Sequence, residues 1–115
     1  MVKTAVCGVF AALLATQVLA QGAVPTPERS AQLVRMVRQD CGSCHGMRLT
    51  GGLGPALTRQ ALAAKPPEYL AAIITHGIPG TPMPPWSAML NSDETLWIAQ
   101  QLVNGFPEES KNHAP

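Results

Sequence analysis

The chain has 115 residues with a formal net charge of +1, and aromatic residues make up only 4% of it. This charge balance excludes the strongly basic surface that nucleic acids or anionic membranes attract. A domain of this length buries a small core, so with few aromatic side chains it would gain stability from a bulky apolar cofactor.

The first 20 residues have the pattern of a secretory signal peptide. Lys3 precedes an apolar run over 5–15, and the small residue Ala20 ends the segment. The apolar run is shorter than the ~20 residues of a membrane-spanning helix, which makes a retained membrane anchor the weaker alternative. We therefore predict cleavage after Ala20 and a periplasmic protein of residues 21–115 with a formal charge of zero.

Capping residues and apolar spacing predict an all-α domain over 21–106, with long glycine- and proline-rich loops and a flexible tail over 107–115. The first predicted helix is capped by Thr26 and runs to about Asp40, and the second is capped by Thr58 and runs to about Ala64. The third opens at Pro66-Pro67 and ends at Gly77, and the fourth has a capping box of Asn91 and Glu94 and ends at Asn104-Gly105. The segment from 46 to 55 is predicted to be a loop.

The motif C-x-x-C-H, which attaches c-type haem, occurs at residues 41–45. Cys41 and Cys44 are spaced on a turn so that both thiols can form thioether bonds to the vinyl groups of one porphyrin. His45 then directs its imidazole at the iron as an axial ligand. The sequence predicts one covalent haem c held by these three residues.

Three other interpretations of the two cysteines are weaker. A redox-active C-x-x-C needs a βαβ context, and no strand pattern precedes Cys41. A zinc site needs further ligands, and His76 and His113 do not complete one. A structural disulfide would close too short a loop to contribute much stability.

The second axial ligand is predicted to be Met83. It lies in the loop GIPGTPMPPW, where Pro82, Pro84 and Pro85 exclude regular structure and reduce the entropy lost in presenting its side chain. A thioether in this position raises the reduction potential of a haem and favours electron transfer.

Other side chains compete with Met83 for this role. His76 would give bis-histidine ligation, and Met89 lies just before the last helix. Met47 is too close to His45 to reach the opposite face, and Met36 has the spacing of a core residue. An open sixth position is a further alternative.

These residues together resemble a class I cytochrome c, and the resemblance covers nearly all of the chain after the signal peptide. It implies a small fold of four to five helices wrapped round the haem. It also implies that the Pro55 carbonyl accepts a hydrogen bond from the His45 imidazole, and that Trp86 lies next to a haem propionate. The first and last helices would cross, which would pack Ala31 and Val34 against 96–102.

The segments CHGMRLTGGLGPALT and PGTPMPPW are similar to the small NirC-type cytochromes c associated with the haem c and haem d nitrite reductase of denitrifying bacteria. This resemblance implies a periplasmic electron carrier, not an enzyme. Its partners would be that nitrite reductase or an enzyme of haem d maturation. A haem-based gas sensor or a peroxidase-like protein with an open sixth site is the alternative.

We expect a monomer that binds neither nucleic acid nor, once the signal is removed, a membrane. Docking to a redox partner is expected on an apolar rim that includes Gly42, Ser43 and Gly46 on one side and Met83, Pro84 and Pro85 on the other. Arg48 and Arg59 are candidates for pairing with haem propionates or with a partner's carboxylates.

Overall fold

The computed structural model describes residues 22–107, so the signal segment and the tail from residue 108 lie outside the described residues. All regular structure in the described part is helical, as predicted. The helices are α1 (Pro27–Met36), a π-helical turn (Val37–Cys41), α2 (Gly42–His45), α3 (Arg59–Leu62), α4 (Pro67–His76) and α5 (Ser92–Asn104). No helix within this range is long and apolar enough to cross a bilayer.

The first helix begins where the sequence predicts and extends further. The Thr26 hydroxyl accepts a hydrogen bond from the backbone N–H of Arg29 at 3.2 Å. The expected end near Asp40 is wrong, because the chain widens into the π-helical turn and then continues as α2 to His45. Gly46, with φ +89°, ends this run in a conformation that favours glycine. Wide π turns of this kind are frequent at functional sites, and this one leads directly into the haem motif.

The two middle helices follow their predicted starts. Thr58 caps α3 by accepting a hydrogen bond from the N–H of Ala61 at 3.3 Å. This helix is shorter than predicted, because the N–H of Lys65 donates to the carbonyl of Leu62 and closes the turn before Pro66. Helix α4 ends at Gly77, as expected.

The capping box of α5 is confirmed at both contacts. The N–H of Glu94 donates to the Asn91 side chain at 2.9 Å, and the N–H of Asn91 donates to the Glu94 carboxylate at 3.0 Å. Glu94 also receives a hydrogen bond from Arg29 Nε at 2.6 Å. This ion pair joins the start of α5 to the first turn of α1.

A single hydrophobic core holds the helices together. Its buried members are Leu33, Val37, Leu49, Leu62, Leu70, Leu90, Ile98, Ala99 and Leu102. The first helical segment contributes Leu33 and Val37 to this core, where α5 contributes Ile98, Ala99 and Leu102. Ala31 is half-buried, and Val34 is buried but does not belong to this cluster. The expected packing of these two residues against 96–102 stays a prediction.

Helices α4 and α5 also meet through a polar contact inside the fold. Thr95 is 1% exposed, and its hydroxyl donates to the carbonyl of Ser92 at 3.0 Å. The hydroxyl of Thr75 on α4 lies 3.3 Å from that of Thr95. Because each buried hydroxyl has a partner, this contact avoids the cost of an unsatisfied polar group.

Candidate haem-binding site

The two motif cysteines lie on consecutive helical turns, Cys41 at the end of the π-helical turn and Cys44 within α2. Both are half-buried free thiols. Cys41 packs against the core, and burial, followed by the negative charge of Asp40, raises the pKa of its thiol to about 11. Before it is joined to haem, the Cys41 thiol is therefore neutral at physiological pH. The Ser43 hydroxyl between the cysteines donates to the Asp40 carbonyl at 2.7 Å and holds the turn closed.

The imidazole of His45 is oriented by the loop that follows it. Its Nδ1 donates to the backbone carbonyl of Pro55 at 2.7 Å. This bond fixes the tautomer and leaves Nε2 as the nitrogen that can coordinate a metal. Gly54 lies against the same ring, and a Cβ atom there would be 2.8 Å from His45 Cε1 and Nδ1. The close approach therefore requires glycine at this position.

Backbone hydrogen bonds fold this loop tightly onto α2. The N–H of Gly51 donates to the carbonyl of His45, and the N–H of Gly54 donates to the carbonyl of Cys44, both at 2.8 Å. A Cβ on Gly52 would be 2.7 Å from the same Cys44 carbonyl oxygen. In the sequence, the glycines of this segment indicate only that it is a loop. In the structure they allow the loop to cover the last turn of α2 and to position Pro55.

Met83 is held by a second network, at the end of α4. The N–H of Ile78 donates to the Met83 carbonyl at 3.2 Å, and the N–H of Met83 donates to the Thr81 hydroxyl at 3.3 Å. That hydroxyl in turn donates to the Ile78 carbonyl at 2.7 Å. Gly77, with φ +66°, packs so closely that a Cβ would be 2.7 Å from the Met83 carbonyl oxygen.

From the sequence, the stiffness of this loop was assigned to its prolines, and the contacts of Gly77 and Thr81 with Met83 were not predicted. A threonine two residues before the methionine was the available signal, because threonine hydroxyls commonly bond to nearby backbone groups in turns.

Trp86 ties the methionine loop back to α4. Its backbone N–H donates to the Ile74 carbonyl at 3.0 Å. Its half-buried side chain packs against the core cluster, as do those of Ile74 and Cys41. The methionine loop and the cysteine turn are thus anchored on one core.

The competing side chains have different surroundings. Met36 packs against the core, as its spacing predicted. Met47 and Met89 are 66% and 57% exposed, and the N–H of Met89 only closes a turn to the Trp86 carbonyl. His76 is exposed at the end of α4. Met83 is half-buried and lies in a loop whose backbone is held by hydrogen bonds to Ile78 and Thr81.

The donor set fits a covalently attached haem. Two thiols and an imidazole with a fixed tautomer lie on one helical run, and a thioether is presented by a separate, hydrogen-bonded loop. Within residues 22–107 no group of three His, Cys, Asp or Glu side chains could hold a metal ion, so the zinc alternative has no ligand set there. Cys41 and Cys44 are not joined in a disulfide.

Arg48 and Arg59, two candidates for pairing with haem propionates, line one pocket. This open pocket of about 220 Å³ is also lined by Arg38. The walls of this pocket include none of the proposed haem-binding residues Cys41, Cys44, His45, Met83 and Trp86.

The chain matches one protein-family model and is similar to several individual proteins. The family model described as cytochrome c oxidase, cbb3-type, subunit III, matches residues 28–102. Cytochrome c55X of Stutzerimonas stutzeri is 53% identical over 90 residues, which cover 78% of this chain and 80% of that protein. Cytochrome c55X of Pseudomonas aeruginosa is 54% identical over 81 residues, which cover 70% of this chain and 68% of that protein.

Two solved structures are also similar. The c-type cytochrome NirC is 54% identical with a TM-score of 0.68, over 70% of this chain and 94% of that one. The dihydro-heme d1 dehydrogenase NirN, in complex with DHE, is 30% identical with a TM-score of 0.55, over 67% of this chain and 16% of that one. The chain is therefore similar to nearly all of the smaller protein and to a short segment of the larger one.

Proposed function

The chain belongs to the c-type cytochrome family described as cytochrome c oxidase, cbb3-type, subunit III, and we propose that it carries single electrons between redox proteins in the periplasm of a denitrifying bacterium. Its predicted resemblance to NirC-type cytochromes is confirmed by the two relatives named cytochrome c55X and by the structure of NirC. The expected all-α cytochrome c fold is confirmed as well. Membership of this family implies covalently bound haem c.

The residues proposed to hold the haem are those that the structure orients. Cys41 and Cys44 supply the thioether sulfurs, and His45 supplies Nε2 as the proximal ligand. The hydrogen bond from His45 Nδ1 to the Pro55 carbonyl is the observation that carries this assignment, because it fixes the ring as a metal ligand requires. Bound in this way, haem iron cycles between its ferric and ferrous states and so carries one electron.

Met83 is the proposed distal ligand. The hydrogen bonds of its backbone to Thr81 and Ile78 support this role, because they limit the conformations of a loop that the prolines already stiffen. A sulfur ligand raises the reduction potential and occupies the position that a gas or peroxide would need. Trp86 is proposed to donate from its indole to a propionate. We assign no enzymatic reaction to the chain.

The physiological partner is proposed from the relatives. NirC-type cytochromes are associated with nitrite reduction, so the first candidate is transfer of electrons to a nitrite reductase. The second candidate is acceptance of electrons from the oxidation of a dihydro-haem d. It is favoured by the segment of dihydro-heme d1 dehydrogenase from Pseudomonas aeruginosa that is 31% identical to this chain over 74 residues.

The docking surface is proposed to surround the cysteine turn and the methionine loop. Ser43, Pro84 and Pro85 are exposed, which suits the predicted rim. Gly42 is buried, so it does not belong to this surface. The nearby side chain of Leu53 is 92% exposed and extends the apolar character of the surface. Small apolar surfaces are typical of transient redox encounters.

One experiment separates the electron carrier from the gas sensor or peroxidase. The spectrum of the purified holoprotein is recorded in both oxidation states, with and without carbon monoxide. We expect the weak charge-transfer band of methionine-ligated ferric haem in the wild type and no rapid carbon monoxide binding. Met83→Ala should lose the band and bind carbon monoxide, whereas Met89→Ala should behave as the wild type. A wild type that lacks the band and binds carbon monoxide readily would support the sensor or enzyme instead.

A further inference from the structure

One open pocket of the protein concentrates basic side chains. Residues 22–107 contain six basic and five acidic residues. Half of the basic ones, Arg38, Arg48 and Arg59, line this pocket of about 220 Å³, and none of the five acidic ones does. An anion placed among these side chains would reduce the repulsion between their positive charges and would therefore be stabilised there.

Two of these arginines are available to bind an anion. Arg48 and Arg59 are exposed, and neither forms an ion pair with any residue between 22 and 107. A guanidinium group is always charged and presents several N–H donors in a fixed plane. This geometry matches the oxygens of carboxylates and phosphates.

Uncharged donors line the same pocket. The Thr58 hydroxyl oxygen accepts a hydrogen bond from the N–H of Ala61 at 3.3 Å, so its hydrogen can still be donated to an anion. The exposed side-chain amide of Gln60 supplies two further N–H donors. The pocket therefore offers several kinds of donor to an anion, together with the arginine charges.

The walls of the pocket are held in place by hydrogen bonds. Arg38 Nη2 donates to the carbonyls of Phe106 at 3.2 Å and Pro107 at 2.9 Å. On the other side, the N–H of Leu57 donates to the carbonyl of Leu49 at 2.8 Å, and Leu49 is buried. Because these walls are already ordered, a ligand would lose less free energy in fixing them. The apolar side chains of Leu49, Leu57 and Phe106 also exclude water, which strengthens charge interactions nearby.

We propose that this pocket binds a small free oxoanion, a phosphate or a carboxylate, through Arg48 and Arg59 with Thr58 as a further donor. The volume suits a small molecule, and the exposed arginines leave it accessible from solvent. None of the proposed haem-binding residues lines the pocket, which favours an occupant other than a haem propionate. The bound anion joins the loop that carries Arg48 to the first residue of α3, and so stabilises the fold independently of electron transfer.

The first test follows the two arginines directly. Inorganic phosphate, succinate or chloride is added to the reduced holoprotein at equal ionic strength, and the side-chain Nε–H signals of the arginines are followed by nitrogen-15 NMR. We expect saturable shifts of Arg48 and Arg59 with phosphate or with succinate, and none with chloride. A response to only one of the two oxoanions identifies its class.

Arg35 is the internal control for this titration, because it does not line the pocket. Its signal should not show a saturable shift. If neither phosphate nor succinate shifts Arg48 and Arg59, or if Arg35 responds in the same way, the pocket is not an oxoanion site and the proposal is wrong.

The second test measures thermal unfolding of the holoprotein at about ten times the half-saturating concentration of the oxoanion, against chloride at equal ionic strength. A ligand that binds the folded state should raise the unfolding midpoint by about 5 °C or more. Phosphate also stabilises proteins by exclusion from their surface, so the rise is compared between variants. Arg48→Gln/Arg59→Gln should lose most of it, whereas Arg35→Gln/Lys65→Gln removes the same charge outside the pocket and should keep it. Equal rises in the two double variants would contradict binding through Arg48 and Arg59.

Discussion

His45 donates from its imidazole Nδ1 to the backbone carbonyl of Pro55 at 2.7 Å, and Gly54 lies directly against the same ring. The hydrogen bond and the contact act together, because a side chain at position 54 would push the ring away from the carbonyl. The orientation of the proposed iron ligand therefore depends on a glycine outside the haem motif.

Gly54→Ala should destabilise the holoprotein through this contact. The backbone of Gly54 does not adopt a positive φ, so the cost comes from the added Cβ 2.8 Å from the ring. We expect a loss of about 1–3 kcal/mol in the free energy of unfolding, as in other overpacked sites, together with a changed haem absorption spectrum. Thermal unfolding and spectroscopy of the purified variant measure both effects.

Gly80→Ala is the control for this prediction. Gly80 has φ +78°, and a Cβ there meets no atom within 4 Å. The substitution should cost about 1 kcal/mol in backbone strain and leave the haem spectrum unchanged. If Gly54→Ala kept the wild-type spectrum and cost no more than Gly80→Ala, the proposed dependence of His45 on Gly54 would be wrong.

Local signals in the sequence predicted the helix starts, because the cap residues act on their own backbone. Thr26, Thr58 and the Asn91–Glu94 box all make the expected hydrogen bonds. These capping hydrogen bonds form within one turn of the chain, so the sequence predicts them without any tertiary information.

Features that depend on packing between distant segments were not predicted. The extension of the first helical run through Cys41 to His45 contradicts the weak helix preference of Gly42 and Ser43, and the core and the folded-back loop override that preference. The pocket that brings Arg38 and Arg59 together also joins segments that no local pattern relates. The motif identified Cys41, Cys44 and His45, and the resemblance to class I cytochromes c implied the hydrogen bond from His45 to the Pro55 carbonyl that the structure shows. The contact of Gly54 with the same ring could be found only from the fold.

Thr81→Val should loosen the methionine loop. The Thr81 hydroxyl accepts from the Met83 N–H and donates to the Ile78 carbonyl, and valine removes both contacts while keeping the volume. We expect a loss of about 1 kcal/mol in the free energy of unfolding and faster carbon monoxide binding to the ferrous protein, measured by stopped flow.

Thr81→Ser supplies the matched control because it retains the hydroxyl. Its carbon monoxide binding should stay close to that of the wild type. Identical binding rates for the serine and valine variants would show that the hydroxyl does not hold Met83 in place.

Arg29→Gln should change how stability depends on pH. The hydrogen bond from Arg29 lowers the pKa of Glu94 below its ordinary value of 4.5, helped by the backbone N–H of Asn91. A carboxyl whose pKa is lowered by folding stabilises the protein above its unfolded-state pKa, and this contribution is lost as the pH falls through the folded-state pKa. The free energy of unfolding of the wild type should therefore exceed that of Arg29→Gln by up to about 1 kcal/mol near pH 7. This difference should shrink below about pH 4.5.

Thermal unfolding of the two holoproteins between pH 3 and pH 7 measures this difference. Arg35→Gln removes a charge from the last turn of the same helix. Its difference from the wild type in the free energy of unfolding should not shrink below about pH 4.5. A gap between wild type and Arg29→Gln that stays constant with pH would contradict the assignment of the effect to Glu94.

Electron exchange with the physiological partner should vary little with ionic strength. The chain without its first 20 residues has a formal charge of zero, so long-range steering by net charge is weak. The proposed docking surface includes the exposed residues Ser43, Leu53, Pro84 and Pro85, none of which is charged. Stopped-flow rates with a candidate nitrite reductase between about 20 and 300 mM salt should change by less than about two-fold, since screening acts only on charged groups. A steep fall in rate with added salt would instead place charged residues in the docking surface and would rule out a predominantly apolar encounter.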